Sequence, residues 1–198
     1  MTLCDYADAI NLRLQNSGYA RFSKSQVALA INEAQLKIAK DTNLYEIRSN
    51  FEPTSELLHN ISLLRIKKLN KIPIVSLSYL DKKYPGWETN TPASGESYSC
   101  ASLIANKLIL VPRLENPVTV VLTGTARPEW FTDIDCTKSL PISDLDSNLV
   151  ILYASYILLS SNGTDEDFTK AMQFLAIYEK EAKLASRIIN GETDARYV

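Results

Sequence analysis

The sequence predicts an α+β protein: a four-helix bundle with a β-rich insertion between its second and third helices, followed by an extended C-terminal tail. Three observations predict it. Both ends of the chain place apolar residues three and four positions apart, the spacing of one helix face. Seven of the eight prolines lie between positions 53 and 128, where a helix interior would lose an amide donor and clash with the preceding turn. That same middle holds short apolar runs separated by turn residues. The expected organisation is a helical pair over 1–49, a β-rich insertion with its connecting loops over 50–139, a second helical pair over 140–190, and a tail over 191–198.

Taken in order, Leu3, Tyr6, Ala7, Ile10 and Leu14 form a stripe, with Thr2 available as a cap and Gly18 just beyond, which predicts a short first helix. Ser23-Lys24-Ser25-Gln26 has the form of a capping box, and Val27, Ile31, Ala34 and Ile38 follow on one side; a second helix should run to about Asp41. The runs at 62–70, 96–105, 107–112 and 117–128 predict strands, with Ala105-Asn106-Lys107 as a tight turn between two of them. Helical character returns at Leu140-Pro141-Ile142-Ser143-Asp144, and Leu145, Leu149, Leu152, Tyr153, Tyr156 and Leu159 make one broad apolar face. Thr164, followed by Asp165, Glu166 and Asp167, then suits the start of a final helix reaching about Ile189.

Composition excludes several classes of function. The chain has 198 residues, 45% apolar and 22% charged, and its 21 basic and 23 acidic side chains leave a net charge of -2; nothing pulls the whole molecule toward nucleic acid or an anionic membrane. The start carries no basic segment followed by an apolar one, and the longest apolar run, 149–159, falls far short of the roughly 20 residues a spanning helix needs. No membrane association is expected, and synthesis and folding in the cytoplasm are. Cys4, Cys100 and Cys136 are odd in number and widely separated, so they read as three reduced thiols.

Catalytic patterns are weak. The single histidine, His59, has no nucleophile in a recognisable elbow to serve. Asp144-Leu145-Asp146-Ser147-Asn148 imitates the opening of a calcium loop but has Leu149 in place of the required glycine and Ser155 in place of the bidentate glutamate. Asp133 and Asp135 are a weaker carboxylate pair still, and no glycine-rich phosphate loop occurs. No enzyme activity, cofactor or metal is expected, with a small hydrolase as the least favoured alternative.

Two stretches suit binding instead. Arg65, Lys67, Lys68 and Lys71 form a basic cluster, with no acidic residue between Leu57 and Leu80. It could meet phosphates or an acidic protein, which makes a DNA-binding accessory protein the alternative reading. In the other stretch, Tyr84 and Trp87 flank Pro85-Gly86, so a rigid turn either displays an aromatic to a partner or folds it back over the β-region.

The order of these pieces resembles the head-tail adaptor proteins of tailed bacteriophages, also called connector or head-completion proteins. The resemblance lies in paired N-terminal helices, then LDKKYPGW at 80–87, a small-residue loop leading to Tyr98, NKLILVPRLENPVTVVLTGTARP at 106–128, LPISDLDSNLVILYASYILL at 140–159, and the long last helix. It implies a structural protein of the virion neck, made in the host bacterial cytoplasm. Such proteins form a homo-oligomeric ring, typically of twelve copies, which docks beneath the portal protein, extends the DNA channel and offers a platform to a downstream tail protein. By position, the resemblance assigns Asp194, Ala195, Arg196, Tyr197 and Val198 to portal docking and Tyr84, Pro85, Gly86 and Trp87 to protein contacts of the insertion. DNA would pass without sequence-specific binding. A strongly attractive wall would hold its phosphates, so the basic cluster is expected to face protein or to point outward.

Overall fold

This computed structural model of the chain describes residues 1–61, 63–89, 91–105, 107–161 and 164–189. The chain forms two compact units, one from residues 1–45 and 128–198 and the other from Glu46–Arg127.

The expected four-helix bundle is not what forms. Among the described residues the protein is α+β with five α-helices and two three-stranded antiparallel sheets. Four helices belong to the first unit: α1 (Leu3–Arg13), α2 (Lys24–Asp41), α4 (Ser147–Ser161) and α5 (Asp165–Ile189). The fifth, α3 (Leu77–Lys83), lies within the β unit. In the first unit α4 is the centre, and α1, α2 and α5 pack on it, whereas α1 and α5 each meet α2 only marginally. The physical reason is in the sequence of α4. Leu149, Val150, Ile151, Leu152, Ala154, Leu158 and Leu159 are all buried, so this helix is apolar nearly all round and needs neighbours on several sides rather than one shared stripe.

Capping chemistry sets the helix starts. Thr2 caps α1 and Ser23 caps α2, each reciprocated by the side chain three residues on, Asp5 and Gln26. Thr164 Oγ1 accepts from the Asp167 amide at the head of α5, at 3.2 Å. The start of α4 falls later than the apolar spacing suggests. Ser143 accepts from the Asp146 amide and donates to its carboxylate, and turns occupy 144–146. Leu145 therefore lies outside the helix and is 95% exposed, not on the apolar face expected for it.

The cysteine expectation also fails. Cys4 and Cys136 form a disulfide, with Cα atoms 4.9 Å apart across 132 residues of sequence, while Cys100 is a buried free thiol. The pairing arises from how the 128–139 segment is fastened. Leu3 N–H donates to the Lys138 carbonyl at 2.9 Å, and Thr2 bridges Ser139. Buried Asn32 grips Phe131 from both sides, its amide donating to the carbonyl at 2.6 Å and its oxygen accepting from the N–H at 2.9 Å.

The β unit is layered. Sheet one has the order β1 (Glu46–Phe51), β6 (Val120–Ala126), β3 (Leu63–Leu69); sheet two has the order β2 (Leu58–Asn60), β5 (Lys107–Val111), β4 (Cys100–Ile104). Leu63, Ile66, Leu69, Val120 and Leu122 from sheet one meet Ala101, Leu108 and Leu110 from sheet two in one core. Behind sheet two, Ile109, Val111 and Cys100 pack against Leu80 of α3 and Trp87. Sheet two is thus covered on both faces, which is why β5 reads Leu-Ile-Leu-Val without alternation. Sheet one turns one face to this core and carries exposed side chains on the other.

Candidate functional site

The exposed face of sheet one gathers the charge. Antiparallel pairing aligns Glu46, Thr125 and Arg65 in one row across the three strands, and Arg48, Thr123 and Lys68 in the next. Neighbouring strands lie about 4.8 Å apart, so the two ends of each row are separated by about 10 Å. Arg48, Arg65, Lys67 and Lys68 are all exposed.

A regular strand could not present all three β3 cations this way, because successive side chains alternate between faces. Ile66 and Leu69 are both buried in the core, three positions apart, while Lys67 and Lys68 between them are both exposed. The register shift between Ile66 and Lys68 accounts for it. A β-bulge inserts one extra residue and re-aims the side chains after it, so Lys68 pairs with Thr123 on the polar face and Leu69 with Leu122 on the apolar one.

Lys67 Nζ reaches the Glu46 carboxylate on the far edge strand at 2.8 Å, bridging over the central strand, and Thr125 beneath is only 3% exposed. Three cations thus share these two rows with a single carboxylate, and Lys67 stands at the bulge between them. Immediately after β3 the chain turns, Leu69 bridging Ile72, with Lys71 in the left-handed region at φ 62°. Lys67, Lys68 and Lys71 line one shallow depression with Ile72, Pro73 and Ile74. Close contact of β3 with β6 depends on Gly124, where a Cβ would stand 2.3 Å from the Arg65 carbonyl oxygen.

The structure therefore brings Arg65, Lys67, Lys68 and Lys71 together and adds Arg48, which the sequence pattern does not single out. Arg48 lies seventeen positions before Arg65, and only the pairing of β1 with β6 delivers it to the face.

The other candidates lie elsewhere. Trp87 is not displayed: it is 7% exposed, covers Ile109 and Val111, and donates from Nε1 to Asp81 at 3.0 Å. Tyr84 is half-buried against the same cluster, and only Pro85 and Gly86 (φ 78°) stand out to solvent. Asp194, Ala195, Arg196, Tyr197 and Val198 lie outside the described residues. His59 is buried edge-on against Phe51, at 5.7 Å between ring centres, and burial pushes its pKa below the usual imidazole value, with nearby Arg113 adding to the effect and Glu56 opposing it. Asp135 accepts from the Thr137 amide and hydroxyl, which hold its carboxyl below the usual range, and Asp133 accepts from the Ile134 amide. Asp144 pairs with the amino group of Met1. Among the described residues, no three His, Cys, Asp or Glu side chains converge in a group able to hold a metal. Nor is any described helix long and apolar enough to cross a membrane.

No protein-family model matches the chain, and no curated protein matches it.

Proposed function

We propose that this protein is a structural head-tail adaptor of a tailed bacteriophage, a ring-forming subunit of the virion neck that docks on the portal and receives a tail component. The order and spacing of its segments support this reading, and one structural observation carries it. The helical unit leaves Leu12, Trp130, Leu145 and Phe168 each more than half exposed, with Met172 one turn beyond Phe168 on α5 also exposed. Scattered single apolar residues are ordinary, but Phe168 and Met172, four positions apart on one face of α5, suit contact with another chain. Trp130 is also rigidly presented, between Glu129, whose carboxylate pairs with Lys138 at 3.0 Å, and Phe131, gripped by Asn32. Rigid aromatic anchors are favoured at the centres of interfaces.

An acyl-transfer or hydrolytic reading finds less support, because the one imidazole is engaged with an aromatic ring rather than aimed at a nucleophile. In the adaptor, the segment ending in Tyr197 and Val198 would contact the portal.

Native mass spectrometry of the full chain, alone and with its portal protein, tests the proposal. A closed ring, alone or on the portal, is the expected result. Phe168→Glu with Met172→Glu should abolish it, and removal of 191–198 should weaken portal attachment while leaving the fold intact. A chain that stays monomeric and ignores the portal overturns the adaptor reading.

A further inference from the structure

We infer that the open face of sheet one is a binding surface for the phosphate backbone of double-stranded DNA, engaged without reading sequence. The inference rests on this face alone; in a ring it requires the face to point outward, because on the channel wall it would hold the phosphates of passing DNA.

Charge is the first argument. Arg48, Arg65, Lys67 and Lys68 stand on one face with Glu46 as the only acidic partner in its rows, and Lys71 adds a fifth cation beside them. In a chain whose net charge is -2, that concentration is local and is produced by the fold. The bulge in β3 is the second argument. Without it Lys68 would be turned into the core, and bulges recur where a strand must re-aim a side chain for function. Lys67 serves a different purpose: its bond to Glu46 spans the sheet and holds the two edge strands in register beneath the remaining cations.

The chemistry of the face selects the partner. A protein partner of opposite charge would also need an apolar or aromatic anchor to bind stably. The row between Arg48 and Lys68 offers half-buried Thr123 instead, and a threonine hydroxyl, like arginine and lysine, is an ordinary phosphate donor. Single-stranded nucleic acid is bound by stacking bases on aromatic rings, and neither row contains one. Duplex DNA needs only cations at a suitable spacing. Arg48 and Lys68 lie about 10 Å from each other on either side of Thr123, close to the ~12 Å width of the major groove, so they can reach phosphates on its two walls.

The test is fluorescence anisotropy of the full chain with a labelled duplex of mixed sequence, titrated at several salt concentrations. If Arg48, Arg65, Lys68 and Lys71 each neutralise one phosphate, the logarithm of affinity falls with the logarithm of salt at a slope of about -3.6, roughly 150-fold between 50 and 200 mM. Arg48→Gln with Lys68→Gln should lower the slope by about 2 and weaken all duplex sequences alike. Lys170→Gln with Lys183→Gln, on exposed positions of α5, should change neither. Circular dichroism confirms folding; should the double variant not fold, R48Q and K68Q singly should each reduce the slope by about 1. Three outcomes overturn the inference: unchanged duplex affinity in the charge variants, tighter binding to a single strand of the same sequence, or tighter binding to polyglutamate.

Discussion

In the helical unit, polar side chains fasten distant parts of the chain to one another. Asn32 holds Phe131, Arg21 pairs with Asp167, Tyr178 donates to Asp41 at 2.9 Å, and Asn148 links Arg13 to Glu181. Among the described residues of the β unit such ties are fewer, and apolar layers carry the cohesion: sheet on sheet, then sheet two against α3 and Trp87. The contrast teaches where each unit is vulnerable. Directional bonds fail when one partner is removed and the other is left buried and unpaired. Stacked layers fail when their spacing is forced apart.

The largest break should come from the disulfide, which only the helical unit possesses. Closing a loop of 132 residues removes enough unfolded-chain entropy to contribute up to about 5 kcal/mol. Cys4→Ser with Cys136→Ser should therefore lower the Tm on the order of 10 °C, as read by calorimetry; a shift under about 2 °C would mean that the noncovalent ties hold the segment alone.

Asn32→Ala comes next. It strips partners from both the N–H and the C=O of Phe131 inside a buried site, at a cost of about 2 to 4 kcal/mol, measurable by urea unfolding. Hydrogen exchange should show the effect confined to the helical unit.

Gly124→Ala makes the opposite test in the β unit. Its Cβ would press on the Arg65 carbonyl, pushing β3 from β6 at a cost of about 1 to 3 kcal/mol. Exchange should quicken across sheet one and leave α4 unchanged. The same substitution should weaken DNA binding, because it disturbs the rows that align Arg48 with Lys68.

The smallest effect belongs to pH. His59 has its folded pKa lowered by burial, so the unfolded chain takes up the proton first as pH falls. The contribution of neutral His59 is fully present above about pH 6.5 and is lost progressively below it, toward the lower folded value. The β unit should thus soften in mild acid, and His59→Gln should flatten that dependence. With one histidine in the chain, its titration by NMR needs no assignment.

What the sequence made legible was local. Thr2, Ser23 with Gln26, and Thr164 announce their helices because a cap is a relation among four neighbouring residues. The runs that became β3, β4, β5 and β6 are apolar enough to stand out. β1 escapes notice because Glu46-Ile47-Arg48-Ser49-Asn50-Phe51 lies at a sheet edge with little alternation of burial, and β2 because three residues carry no pattern. α3 is too short for a helical period to show itself, although Ser76 caps it. The centrality of α4 is hidden because periodicity describes one helix and does not count its neighbours. The cationic cluster was half legible: the β3 residues adjoin in sequence, but Arg48 joins them only through strand pairing. Spacing alone never identifies which cysteines meet, and Cys4 and Cys136 meet because the segment carrying Cys136 is tied back to the start of α1.

That cross-link also fixes how the molecule bears a mechanical load. The whole β unit, Glu46–Arg127, lies inside the covalent ring closed by Cys4 and Cys136. Tension applied to the chain on either side of the ring passes through the sulfur atoms and bypasses everything enclosed. Of a fully stretched chain, roughly 450 Å, the contour of the 132-residue separation from Cys4 to Cys136, stays out of reach until the bond is reduced. The sheets, and the charged face they present, are therefore shielded from any pull that the helical unit receives through segments outside that ring.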